Sequence, residues 1–160
     1  MNDLVLTDNN DIPSERTASI SENPGVSVRK RHSRQGLGNY LICKDGEVYA
    51  GAHLLVDVWG GKNIGDPDAV AEILKKAAEG ANATILHVHV HEFGGEGGIS
   101  GVAVLAESHI SVHTWPELDY AAFDVFMCGN CRPEKAVAVL EQKLEPVRIE
   151  VNEQKRGLVG

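Results

Sequence analysis

The chain has 160 residues, enough for one domain with a real core and too few for two comfortable ones. Hydrophobic residues make up 42%, slightly below the globular norm, so part of the chain is expected to lie outside the core. With 23 acidic against 15 basic residues and a formal net charge of -8, the composition excludes nucleic acid as the expected main partner and suits a small cationic substrate.

Met1-Asn2-Asp3 opens into polar sequence without the apolar stretch of a signal peptide. No apolar run approaches the ~20 residues of a membrane span. The three cysteines, Cys43, Cys128 and Cys131, are therefore expected as reduced thiols in a cytoplasmic protein with no membrane partner. Residues 1–36 are polar, lack periodicity and end in Arg29-Lys30-Arg31-His32-Ser33-Arg34, which reads as a disordered tail with a solvated basic cluster. Residues 37–50 read as a hairpin around Asp45-Gly46, a strong two-residue turn signal. Over 52–59, Leu54, Val56 and Val58 alternate with His53, Leu55, Asp57 and Trp59, as on a strand. A helix follows. Asp66 suits its N-cap, Pro67 its first turn and Gly80 the position past its end, while Val70, Ile73, Leu74, Ala77 and Ala78 form its apolar stripe.

Residues 84–91 form another strand pattern, with His87, His89 and His91 on one face. Gly94 to Gly98 is a glycine-rich loop, followed by strand patterns over 100–106, 109–115 and 120–127. Pro133 opens a second helix striped by Ala136, Val137, Leu140 and Leu144, and Pro146 stops it. A last strand is expected over 147–151, then a polar tail. Most strands are linked too briefly for parallel crossovers. The fold class is therefore α+β, a two-layer sandwich of a mostly antiparallel sheet with helices packed on one face.

Three groups of residues can carry chemistry. His87, His89, His91 and His53 have the ligand type for a transition metal, although alternate residues on a strand lie ~6.6 Å apart. The bland alternative is a polar sheet face, and no metal is assigned. Cys128-Gly129-Asn130-Cys131 has the spacing of a redox pair or of half a zinc site, or holds small buried side chains. The third group surrounds Ser108, which lies between Glu107 and His109 where two strand patterns meet without Gly, Pro or Asn to make the turn. A reversal there implies a strained backbone. A strained serine can attack its own preceding carbonyl. β-Elimination of the resulting ester cuts the chain and leaves dehydroalanine, which hydrolyses to a pyruvoyl group. His113 and Ser100 are candidates to assist as base or acid.

Glu107-Ser108-His109-Ile110-Ser111-Val112-His113-Thr114-Trp115-Pro116-Glu117, then Tyr120-Ala121-Ala122-Phe123-Asp124-Val125-Phe126 and Cys128-Gly129, closely resemble the prokaryotic S-adenosylmethionine decarboxylase proenzyme family. The likeness extends upstream through Gly51-Ala52-His53-Leu54, Ala83-Thr84-Ile85 and Ser100-Gly101-Val102, and marks 51–155 as the family-like domain. It implies self-cleavage between Glu107 and Ser108 into chains 1–107 and 108–160, with Ser108 becoming the pyruvoyl cofactor and no external cofactor needed. It further implies that His113 and Ser100 assist processing, that Cys128 donates a proton, and that Phe93, Trp115 and Glu117 line the substrate pocket. A pyruvoyl ketone forms a Schiff base with the substrate α-amine and accepts the electrons released as CO2 leaves. The resemblance implies a carboxy-lyase acting on S-adenosylmethionine, a step in spermidine synthesis, in a homodimer of processed protomers. The glycine-rich loop beside the implied pocket leaves arginine or ornithine as alternative substrates. A metal-binding or interaction module built on the histidine strand and the basic tail is a remoter alternative.

Overall fold

The computed structural model describes residues 40–94 and 97–159. The expected polar tail over 1–36 and its basic cluster lie outside the described residues, as do two positions of the glycine-rich loop. The first elements are β1 (Ile42–Lys44) and β2 (Glu47–Trp59). Between them Asp45 and Gly46 both take positive φ, 53° and 81°, as a two-residue hairpin turn with the right twist requires. β2 then runs unbroken for 13 residues, so the hairpin arm and the alternating stretch after it are one strand.

Helix α1 (Pro67–Gly80) starts as its sequence predicts: Asp66 Oδ1 accepts from the backbone N–H groups of Asp68 and Ala69 at 3.0 and 3.1 Å. Its end differs by one residue. Gly80 is still helical, Ala81 is the cap, and Asn82 takes the left-handed conformation at φ 59°. The glycine serves packing instead, since a Cβ there would sit 2.7 Å from Val139 of the second helix. Then come β3 (Ile85–Glu92), β4 (Ile99–Leu105), β5 (Ser108–Trp115), a 3-10 turn (Pro116–Leu118), β6 (Tyr120–Met127), α2 (Pro133–Leu144) and β7 (Arg148–Leu158).

The last strand corrects an expectation. Residues 152–158, read as a polar tail, continue β7 and pair with β2 from Asn152↔Leu55 to Leu158↔Tyr49. The strand is an edge and almost wholly exposed, so it carries no hydrophobic alternation; its backbone pairing holds it.

All pairings are antiparallel, in the order β1-β2-β6-β5-β4-β3, with β7 on the other side of β2. Both helices cover one face. Leu54, Val56 and Val58 of β2, Phe123, Val125 and Met127 of β6, and Ile110 and Val112 of β5 meet Leu74, Ala77, Leu140 and Leu144 from the helices. Burying each Leu or Val side chain contributes roughly 1.5–3 kcal/mol. Gly101 allows close approach, because a Cβ there would lie 3.2 Å from Leu74 of α1. This is the expected two-layer α+β sandwich. Its second face is open and carries His53, His109, Ser111, His113, Trp115, Asp124 and Phe126, all exposed or half-buried. Among the described residues no helix is long and apolar enough to cross a membrane.

Candidate active site

The residues singled out around Ser108 fall into two clusters at opposite ends of β5. The first lies at the β4–β5 reversal. Leu105 pairs with Ser108, leaving Ala106 and Glu107 as the whole turn. Without a glycine to adopt it, the left-handed conformation falls on Glu107 at φ 62°, the strain that the sequence implies. Ser108 is 7% exposed, and its Oγ accepts a hydrogen bond from the Cys128 backbone N–H at 3.2 Å. Cys128 reaches it because β6 lies beside β5 and ends one residue earlier, at Met127. Burial pushes the Cys128 thiol up from its ordinary value; the Glu107 carboxylate and Cys131 add to the effect.

A cavity of about 480 Å³ opens beside this turn, lined by His53, Leu105, Glu107, Ser108, His109, Phe126 and Arg156. Sequence reasoning missed most of this lining. His53 Nε2 lies 3.0 Å from Asp124 Oδ1, and Arg156 Nη1 lies 3.2 Å from His53 Nδ1. Arginine can only donate, so Nδ1 accepts and the Nε2–H donates to Asp124. Ser111 Oγ donates to the second oxygen of Asp124 at 3.3 Å. His109 stacks on Phe126 at 5.5 Å, and burial, then His53, lowers its pKa against the pull of Asp124. The signal for His53 and Asp124 was present in the alternation of their strands, which puts both on the open face. Arg156 gave none, since it stands in the stretch read as a tail.

The second cluster is the Ser100–His113 pair, opposite each other on β4 and β5, with Oγ and Nδ1 2.8 Å apart. They line a cavity of about 320 Å³ with Phe93, Trp115 and Glu117, so all three residues proposed to bind substrate sit here. Trp115 stacks on Tyr120 at 5.4 Å, and the Tyr120 hydroxyl donates to Asp57, which pushes its pKa up to about 12. The Phe93 N–H closes the glycine-rich loop by donating to the Gly98 carbonyl at 2.8 Å.

Within one chain these clusters do not meet. His113 is five residues along β5 from Ser108, about 16 Å at the rise of a strand. Its side chain is exposed on the open face, while Ser108 is buried at the start of the strand. The histidines of β3 are exposed, and among the described residues no three metal-ligating side chains converge.

A family model described as S-adenosylmethionine decarboxylase matches residues 52–157. The chain is similar to the S-adenosylmethionine decarboxylase proenzyme of Thermomicrobium roseum, 44% identical over 110 residues that cover 68% of this chain and 95% of that one. The proenzyme of Methanococcus maripaludis is 42% identical over 112 residues, covering 68% and 91%. Among solved structures, the adenosylmethionine decarboxylase of Aquifex aeolicus superposes with a TM-score of 0.60 at 34% identity, covering 69% of this chain and 92% of that one.

Proposed function

Because the chain belongs to the S-adenosylmethionine decarboxylase family, we propose that it is made as a proenzyme, cuts itself between Glu107 and Ser108, and uses the pyruvoyl group so formed. The enzyme is a carboxy-lyase, and its substrate is S-adenosylmethionine. The observation that carries the self-cleavage is the left-handed Glu107 directly before a buried serine hydroxyl. The Ser108 oxygen attacks the Glu107 carbonyl and replaces the strained amide by an ester. Loss of the Ser108 Cα proton then expels the Glu107 carboxylate. The dehydroalanine left behind hydrolyses, releasing ammonia. The Cys128 N–H, hydrogen-bonded to Oγ, holds the nucleophile in place.

The pyruvoyl carbonyl supplies an electron sink for the loss of CO2. The chain's own groups bind and protonate. Cys128, whose thiol burial keeps protonated at neutral pH, delivers the proton to the decarboxylated carbon. Trp115 and Phe93 offer aromatic surfaces to the adenine, and Glu117 accepts from ribose hydroxyls.

Ser100 and His113 are too far from Ser108 to serve their own chain. They act on a second copy, packed open face to open face with its β5 antiparallel. That arrangement sets the His113 cavity of one protomer over the Ser108 cavity of its partner and covers Trp115, Phe126 and Leu55. The enzyme is therefore a homodimer with two shared sites, made in the cytoplasm and feeding aminopropyl transfer to spermidine. The catalytic domain is the family-matched stretch 52–157, and the hairpin before it extends the same sheet, since β2 runs through from Glu47 to Trp59.

Mass spectrometry of purified protein tests the cleavage. Two chains, 1–107 and 108–160, are expected, the second with a blocked N-terminus that reacts with carbonyl reagents. Ser108→Ala should give a single chain. CO2 release should follow S-adenosylmethionine; turnover of arginine or ornithine instead would overturn the substrate.

A further inference from the structure

The C-x-x-C motif has one member, Cys131, with no part in the chemistry above. We propose that Cys128 and Cys131 are a dithiol that a hydroperoxide converts to a disulfide, reversibly blocking the decarboxylase. The blocking rests on the reading of Cys128 as proton donor; the disulfide itself does not.

The geometry is that of a turn. Cys131 N–H donates to the Cys128 carbonyl at 3.3 Å, and Gly129 takes φ 58° between them. The ends of a β-turn lie within about 7 Å, Cα to Cα, and a disulfide spans about 4.4–6.8 Å. Both cysteines are free thiols of intermediate exposure. Cys131 also lines an open cavity of about 260 Å³ with Ile42, Tyr49, Leu54 and Pro133, beneath the β1–β2 hairpin. A small hydroperoxide can enter there. Cys43 stands apart on β1, exposed, outside the turn.

Cys131 lines that cavity and Cys128 does not, so Cys131 is the first to react. Its sulfur attacks the peroxide bond, giving a sulfenic acid and releasing the alcohol, or water from hydrogen peroxide. The Cys128 sulfur then displaces the sulfenic hydroxyl as water, forming the S–S bond. The two thiols together lose two electrons and two protons, and the hydroperoxide is reduced by the same two electrons. The oxidised turn holds no thiol able to protonate the substrate carbon.

The test treats the processed enzyme with hydrogen peroxide, then with a thiol reductant. The 108–160 chain should lose two hydrogens and yield a peptide linking Cys128 to Cys131. Activity should fall by about a hundredfold or more, the usual worth of a general acid, and return on reduction. Cys131→Ser should keep its basal activity and, lacking the thiol that reacts first, should neither form the linkage nor lose activity at the peroxide dose that blocks the wild type. Absence of the linked peptide in the wild type, with inactivation that reductant does not reverse, would overturn the proposal. A linked but fully active enzyme would overturn the blocking; untreated Cys128→Ala then tells whether the donor reading fails with it.

Discussion

In the proposed mechanism Cys128 has two tasks, carried by different atoms. Its backbone N–H donates to the Ser108 hydroxyl, and its side chain is the proposed proton donor to the product. A side-chain change should therefore separate the two. Cys128→Ala is expected to cleave normally, since the amide remains, and to lose about 10²–10⁴-fold in kcat. An uncleaved Cys128→Ala chain would show that the thiol belongs to processing instead. The pH dependence follows from the direction of the shift. Burial raises the thiol, so its acid form persists to higher pH than an ordinary cysteine's. The alkaline limb of the kcat profile should lie above the ordinary thiol range, and it should disappear from the residual activity of Cys128→Ala.

At the scale of the element, the β4–β5 turn places a left-handed residue directly before Ser108. Ala106 and Glu107 reverse the chain without a glycine, and the Ala106 N–H is tied to the Thr84 carbonyl at 2.9 Å. A left-handed non-glycine residue costs roughly 1–2 kcal/mol. Glu107→Gly removes that cost. In a Ser108→Ala background it should raise stability by up to about 1 kcal/mol in urea unfolding, once the greater unfolded freedom of glycine is counted. With Ser108 intact it should slow self-cleavage by about fivefold, the rate equivalent of that energy. Equal cleavage rates would detach the backbone conformation from the chemistry. The two-residue length of the turn also sets the Leu105↔Ser108 pairing from which the β4–β5 register follows, and so puts Ser100 opposite His113.

The sheet carries two clusters of candidate residues, about 16 Å apart along β5. Their separation predicts complementation. His113→Ala carries a sound Ser108, and Ser108→Ala carries a sound His113. Expressed alone, each should stay a single chain. Co-expressed, mixed dimers should cleave the His113→Ala chain and leave the Ser108→Ala chain whole, which mass spectrometry resolves. If the mixture leaves both chains intact, the shared site is wrong.

Much of this protein was legible before any coordinates. Alternation over 52–59 separated Leu54, Val56 and Val58 from the other face of β2, because one face of the strand is buried and the other is not. Asp66, Pro67 and Pro133 marked the helix starts through local backbone chemistry. The turnless junction at Glu107-Ser108 announced strain, since no residue there favours positive φ. What the sequence could not reveal depends on partners distant in the chain. Arg156 belongs beside His53 only because β7 pairs along the whole of β2, and a fully exposed edge strand leaves no periodic signature. Gly80 sits inside α1 because α2 packs against it. The motif residues Ser100, Ser108, His113 and Cys128 stand within 29 positions of one another, as though forming one site. A strand rises by about 3.3 Å per residue and alternates its faces. That geometry, available only once the sheet register is known, divides them into two clusters, and this separation is what the proposed dimer rests on.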